Sequence, residues 1–353
     1  DFKTSLAYFA EISSRPDVDE RTRVMAQFQT LETNYKLKQY EQVIDEGERL
    51  LQRFPNSVYE TAAYYNIGWS YFELEQFERA IENFKKVITL SPRGSHSDRS
   101  YFQIAESYGK LKQYDQSLTY FERLIRRYDF STMSEKELIE MASLKLKGVV
   151  EETSRELVAK AQLRRGDILG ERGDTDEALA AYAVVPEKYP TEMVLVQSAY
   201  LRSAELVFAV RGTEAALNAY KSAIENVDDK RFQARTQLTI ARLLFEDGAY
   251  VKAAAEYRIF LDAYGDVATR IGFAEDKVLF RIAQCYQALT RAYKAQGDTD
   301  KTQAAAAQAV ALYEQLLADH AASDLLPDIY FSMGYVRQLQ LDDRAAAAYR
   351  HMV

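Results

Sequence analysis

The stretch TAAYYNIGWSYFELEQFERAIENFKKVITLSP, residues 61–92, decides the fold. Its apolar residues follow two helical periods back to back: Tyr64, Ile67, Gly68 and Tyr71 share one face of a first helix, and Ala80, Phe84 and Val87 one face of a second. Glu75-Gln76 falls at the turn between them, and Pro92 closes the unit. The small residues Gly68 and Ala80 stand where two antiparallel helices would cross. Phe84 stands one turn further on, where it would wedge into a neighbouring pair.

This spacing resembles the tetratricopeptide repeat, a helix-turn-helix unit of about 34 residues. Residues 24–55 form a degenerate copy with Val43, Leu50 and Pro55 in register, and residues 98–128 a good one with Tyr101, Ile104, Ala105, Ser117, Phe121 and Leu124. The pattern returns over 159–190 (Gly166, Ala178, Tyr182), 197–227 (Ala204, Ala216, Tyr220) and 234–264 (Ala241, Ala253, Tyr257). The opening SLAYFAEI, residues 5–12, aligns with SLTYFERL, residues 117–124, as a second helix without its first, so Leu6, Phe9 and Ile12 are expected to be partly uncovered. Between 128 and 159 the register slips, and Ser134 with Glu137 forms a capping box for one extra helix that kinks at Gly148 or runs into the next repeat. Beyond a loop at 265–272 the units lengthen, with a helix carrying Leu279, Ile282, Ala283 and Tyr286 to about 296 and a partner over 301–319. A last pair begins near Pro327 with Tyr330, Met333 and Gly334, and its second helix, AAAAYRHMV, reaches Val353.

The expected fold is therefore all-α, a right-handed superhelical solenoid of antiparallel helix pairs. It divides into an array over 1–128, an inserted helix over 129–158, three repeats over 159–264 and two irregular units over 265–353. Both ends read as cut from a longer array, the alternative at the start being a first helix that serves as an N-terminal cap, and exposed apolar ends would make self-association possible.

Composition narrows the function. Hydrophobic residues make up 47% of the 353, and only 14 Gly and 6 Pro interrupt the helices. A net charge of -8 is a poor match for nucleic acid or anionic lipid. The lone Cys285 excludes an intrachain disulfide, and no run of 18 apolar residues offers a membrane span. His96, His320 and His351 are expected in loops or at the end, too scattered for a metal site. Neither a phosphate-binding glycine loop nor a nucleophile elbow nor HExxH occurs. The chain is thus expected to be no enzyme and to need no cofactor. The Arg164-Arg165 pair and Lys145 and Lys147 read as a solvated helix face.

What the resemblance implies is a partner surface on the concave side of the first helices. Its fifth position is occupied here by Phe28, Tyr65, Phe102, Leu163, Leu201, Leu238, Phe280 and Phe331. The twelfth carries Tyr35, Phe72, Phe208 and Phe245, and the ninth Trp69 or the acids Glu32, Glu106, Asp167 and Glu205. The surface is accordingly expected at Phe28, Tyr35, Tyr65, Trp69, Phe72, Phe102 and Glu106, an aromatic and mildly acidic strip for an apolar or basic peptide; the alternative is that these aromatics pack between neighbouring first helices as core, which accounts least well for Trp69. Members that bind chaperone tails use Lys and Asn in this groove to clamp a terminal carboxylate. These positions are aromatic or acidic here, so no such clamp is expected. The 37-residue step and the ends Phe54-Pro55 and Tyr189-Pro190 are similar to repeats of bacterial envelope proteins, implying a scaffold in the periplasm or at the outer membrane. The alternative is a cytosolic adaptor whose effector domain lies outside the sequence.

Overall fold

The computed structural model describes residues 2–128, 139 and 153–350. Among these, sixteen α-helices follow one another: α1 (Phe2–Ser14), α2 (Glu20–Lys36), α3 (Tyr40–Arg53), α4 (Glu60–Glu73), α5 (Phe77–Leu90), α6 (Ser95–Lys110), α7 (Tyr114–Arg126), α8 (Thr153–Arg172), α9 (Thr175–Lys188), α10 (Met193–Arg211), α11 (Thr213–Asn226), α12 (Lys230–Glu246), α13 (Tyr250–Ala268), α14 (Glu275–Ala295), α15 (Thr299–Asp319) and α16 (Leu326–Arg350). The chain divides into two compact units, residues 1–199 and 200–353. The capping box at Ser134 and Glu137 and the kink at Gly148 lie outside the described residues, as do the side chains at the end of α16.

In the first unit α2–α3, α4–α5, α6–α7 and α8–α9 pack as antiparallel pairs, and each pair packs on the next through its neighbouring helix. The expected small residues lie at the crossings. Ala80, Ala105 and Ala178 are fully buried, and a Cβ on Gly68 would lie 2.9 Å from the Phe84 ring. Ser117 takes the small place on α7 and satisfies its buried hydroxyl by donating to the Ala105 carbonyl at 2.8 Å. Phe84 and Phe121 fill the space between pairs with no exposure. Burying each contributes about 1.5–3 kcal/mol before the entropy of ordering is subtracted. α1 lies against α2, yet none of its residues is buried. Leu6, Phe9 and Ile12 are half-buried.

The turns repeat one device. Lys38, Glu75 and Lys112 all sit in the left-handed region, at φ 58°, 58° and 57°. At each, that residue's amide donates to the carbonyl three back, and the next amide to the carbonyl five back, as in Gln76 to Tyr71 at 2.8 Å. This double bond closes the helix end but favours glycine at the left-handed residue. Gly173, Gly248 and Gly297 occupy the equivalent place later in the chain. Glycine was the visible turn signal there, whereas the first three turns carry none.

In the second unit α12–α13 and α14–α15 form pairs, with α11 against α12 and α16 against both α14 and α15. The fully buried Tyr313 donates to Gln287 Oε1 at 2.6 Å, which removes the cost of burying its hydroxyl. Two expectations change here. The loop placed at 265–272 begins later, because α13 runs on through Gly265 to Ala268 and so buries Val267 and Ala268. The last pair is replaced by one 25-residue helix, α16, and a Cβ on Gly334 would meet nothing within 4 Å, so this glycine serves no helix crossing. α10 alone among the described helices has the length and apolar composition to cross a membrane. It carries Arg202 and Glu205 mid-helix, a charge load that costs about 2.5–3.5 kcal/mol for each such residue at a bilayer centre.

Candidate interaction site

The aromatic strip expected from the sequence divides into core and surface. Phe28 and Phe102 are only 7% and 5% exposed. Phe28 stacks on Tyr59 at 4.5 Å, and Phe102 meets Phe121 edge-on at 5.5 Å with the Lys160 ammonium over its ring. Both belong to the packing between helices, because the fifth position faces the neighbouring helices as much as the open side.

Tyr65, Trp69 and Phe72 behave differently. They rise along α4, which lies between α2 and α6, and all three are half-buried. Trp69 stands 6.4 Å from Tyr65 and 5.6 Å from Phe72, edge to face in both cases. Their inner edges pack on the core cluster of Ile67, Phe84 and Ile104, and the rest is open. Tyr35 borders them from α2. Burial first, then Tyr65, Tyr40 and Glu73, push its hydroxyl up to about 12, so it remains a neutral donor. His96 lies within α6 and not in a loop, its ring 4.7 Å from Tyr65. Burial lowers its pKa, and Arg99 adds to the effect against Glu32.

The acidic ninth positions are largely engaged inside the protein. Arg164 on α8 donates to Glu106 through one guanidinium edge, Nε and Nη2, at 2.7 and 3.0 Å, and through Nη1 to Asp167 at 2.5 Å. Asp167 also accepts the hydroxyl of the buried Tyr182 at 2.8 Å. Burial works against the charge on Arg164, but the bonds to Glu106 and Asp167 outweigh it and hold its pKa above the usual value. Arg164 is therefore a half-buried tie between α6 and α8 and not part of a solvated face, and Glu106 is not free to meet a basic partner. Glu205 likewise serves within its own repeat, where burial and then its charge raise the pKa of Tyr220.

The second unit has an open groove that the ninth-position reading did not anticipate. A cavity of about 500 Å³ is lined by Arg235, Leu238, Arg242, Phe245, Phe273 and Arg281 together with one acid, Glu246. Arg235 and Lys277 occupy the second position of their repeats, and Arg242 the ninth where earlier repeats carry acids. That change of sign at the ninth position is legible in the sequence once the repeats are aligned. The described residues hold no cluster of His, Cys, Asp and Glu fit for a metal ion. Cys285 is buried, and burial pushes its thiol up to about 12.

Tetratricopeptide repeat models match residues 61–93, 99–131 and 160–191. The chain carries tetratricopeptide repeats. Its fold is shared by the apo form of RapI, which is 13% identical over 99% of this chain and 98% of that one, with a TM-score of 0.52. The C-terminal part of a TPR repeat-containing protein from Cytophaga hutchinsonii is similar too, at 13% identity over 86% of this chain and 98% of that one, with a TM-score of 0.50. At such identities the likeness is one of fold. Comparison with curated protein sequences finds no match. The repeat is thus recognisable in both sequence and backbone.

Proposed function

We propose that this protein is a non-enzymatic scaffold that seats an apolar or basic segment of a partner protein on the Tyr65–Trp69–Phe72 face of its first unit. The observation that carries the reading is the half-buried aromatic row itself, which packs on Phe84 and its neighbours and leaves part of each ring exposed. Aromatic anchors of this kind dominate binding energy at protein interfaces. Glu32 and Glu73 at the margins would meet basic side chains; Glu106, held by Arg164, is left out of the surface. The test is capture of partners by the wild-type chain and by Trp69→Ala/Phe72→Ala, with helicity checked by circular dichroism. Trp69 is the sole tryptophan, so its fluorescence reports occupancy directly. A partner captured equally by both chains, leaving Trp69 emission unchanged, would remove the proposal. The 37-residue step and the Phe54-Pro55 and Tyr189-Pro190 ends support a place in a bacterial envelope assembly. Fractionation of cells making the native protein tests that, and recovery in the cytosol would overturn it.

A further inference from the structure

We propose that the groove of the second unit receives an acidic segment of a partner protein, with carboxylates on Arg235, Arg242 and Arg281 and an apolar side chain between Leu238, Phe245 and Phe273. This site is separate from the aromatic face of the first unit and has the opposite charge preference.

Three adjoining cavities make up the groove. The 500 Å³ cavity shares Phe245 and Arg281 with one of about 220 Å³ that contains Arg291. It shares Phe273 and Arg281 with one of about 360 Å³ that contains Lys277. Arg281 thus stands at the junction of all three. Its guanidinium donates to Gln284 at 2.9 Å, and among the described residues no carboxylate lies within ion-pair distance of it or of Arg235. Arg242 reaches only Glu246, at 3.8 Å, with both side chains more than half exposed, a pairing that contributes little.

The charge is out of keeping with the chain. The protein carries a net charge of -8, yet this groove gathers guanidinium groups with few acids to balance them. Like charges held close favour an anion between them, and a guanidinium fork matches a carboxylate edge in a bidentate arrangement. Half-buried Leu238, Phe245 and Phe273 add apolar walls, so the ligand that fits has both an acid and an apolar anchor. An acidic peptide meets both conditions. A nucleic acid would offer phosphates and bases to the same residues, but its dense charge is repelled at range by an acidic protein.

The experiment pans a random peptide library against the 353-residue chain. Selected peptides are then titrated by fluorescence anisotropy. The expected result is enrichment of Asp and Glu beside Leu or aromatic residues. Affinity should fall at least tenfold, about 1.4 kcal/mol, in Arg242→Gln/Arg281→Gln and equally when the peptide's acids are replaced by amides. Trp69→Ala/Phe72→Ala should leave it within about twofold, which separates this site from the aromatic face. Selection without acidic enrichment, or retention of affinity by the arginine variant, would overturn the proposal. So would loss in the Trp69/Phe72 variant, or displacement of the peptides by oligo-uridine RNA at lower concentration than by the peptides' own acidic sequence. Both arginines are exposed, so the variant should fold; if it does not, Arg235→Gln and the amide peptides give the same decision.

Discussion

Gly166→Ala should destabilise the first unit, even though alanine is the better helix former. A Cβ at Gly166 would lie 2.5 Å from Tyr182 Cε1, 2.6 Å from Cδ1 and 3.1 Å from Cζ, so the ring has to move by nearly an ångström to restore ordinary contact. Tyr182 is buried, and its hydroxyl holds Asp167 at 2.8 Å, which in turn is tied to Arg164 and through it to Glu106 on α6. Moving the ring therefore strains both the α8–α9 crossing and the link from α6 to α8. Overpacking of this kind costs about 1–3 kcal/mol, and weakening the tyrosine hydrogen bond adds about 1 kcal/mol. The gain in helix propensity returns up to about 1 kcal/mol. The expected net is a loss of about 1–3 kcal/mol, read as a lower urea midpoint for the transition that includes the first unit. Gly334→Ala is the control: its Cβ meets nothing within 4 Å, so propensity alone acts and stability should hold or rise slightly. If Gly166→Ala and Gly334→Ala shift the midpoint alike, the crossing does not depend on glycine at 166 and the packing argument fails.

Three further outcomes can be checked. Replacing Lys38, Glu75 and Lys112 together by Gly should raise the unfolding midpoint, since each now holds a left-handed φ that costs a residue with a side chain about 1 kcal/mol or more; an unchanged or lower midpoint would mean that unfolded-state entropy cancels the gain. His96 has its pKa lowered by burial and by Arg99, so the folded state binds its proton less readily than the unfolded state: its contribution is fully present above about pH 6.5 and is lost as pH falls through the folded pKa. His96→Gln should therefore flatten the stability profile on the acid side of pH 6.5, and a profile identical to wild type would contradict the assignment. Cys285, buried with its thiol pushed up to about 12, should react with a thiol reagent at neutral pH only at the rate of unfolding, and fast labelling of the native chain would show that the site opens.

The repeat was legible in residues 61–92 because helix crossings admit only small side chains and the wedge between pairs needs an aromatic. Gly68, Ala80, Ala105 and Phe84 stand where those rules put them and are buried there. The binding face was less legible. A twelve-residue register says which side of a helix a residue takes, but not how far the next pair covers it. Phe28 and Phe102 share a repeat position with Tyr65, and packing on Tyr59 and Phe121 made them core. The acids at 106 and 167 look like a groove lining until Arg164, a residue on a different helix from Glu106, is brought against them. Sequence by itself thus determined the all-α repeat, its period and its apolar faces, because these follow from local periodicity and side-chain size. Only the tertiary structure decided which charges cancel and which stay open, as ion pairs form between helices far apart in the chain and depend on distances that no local pattern contains.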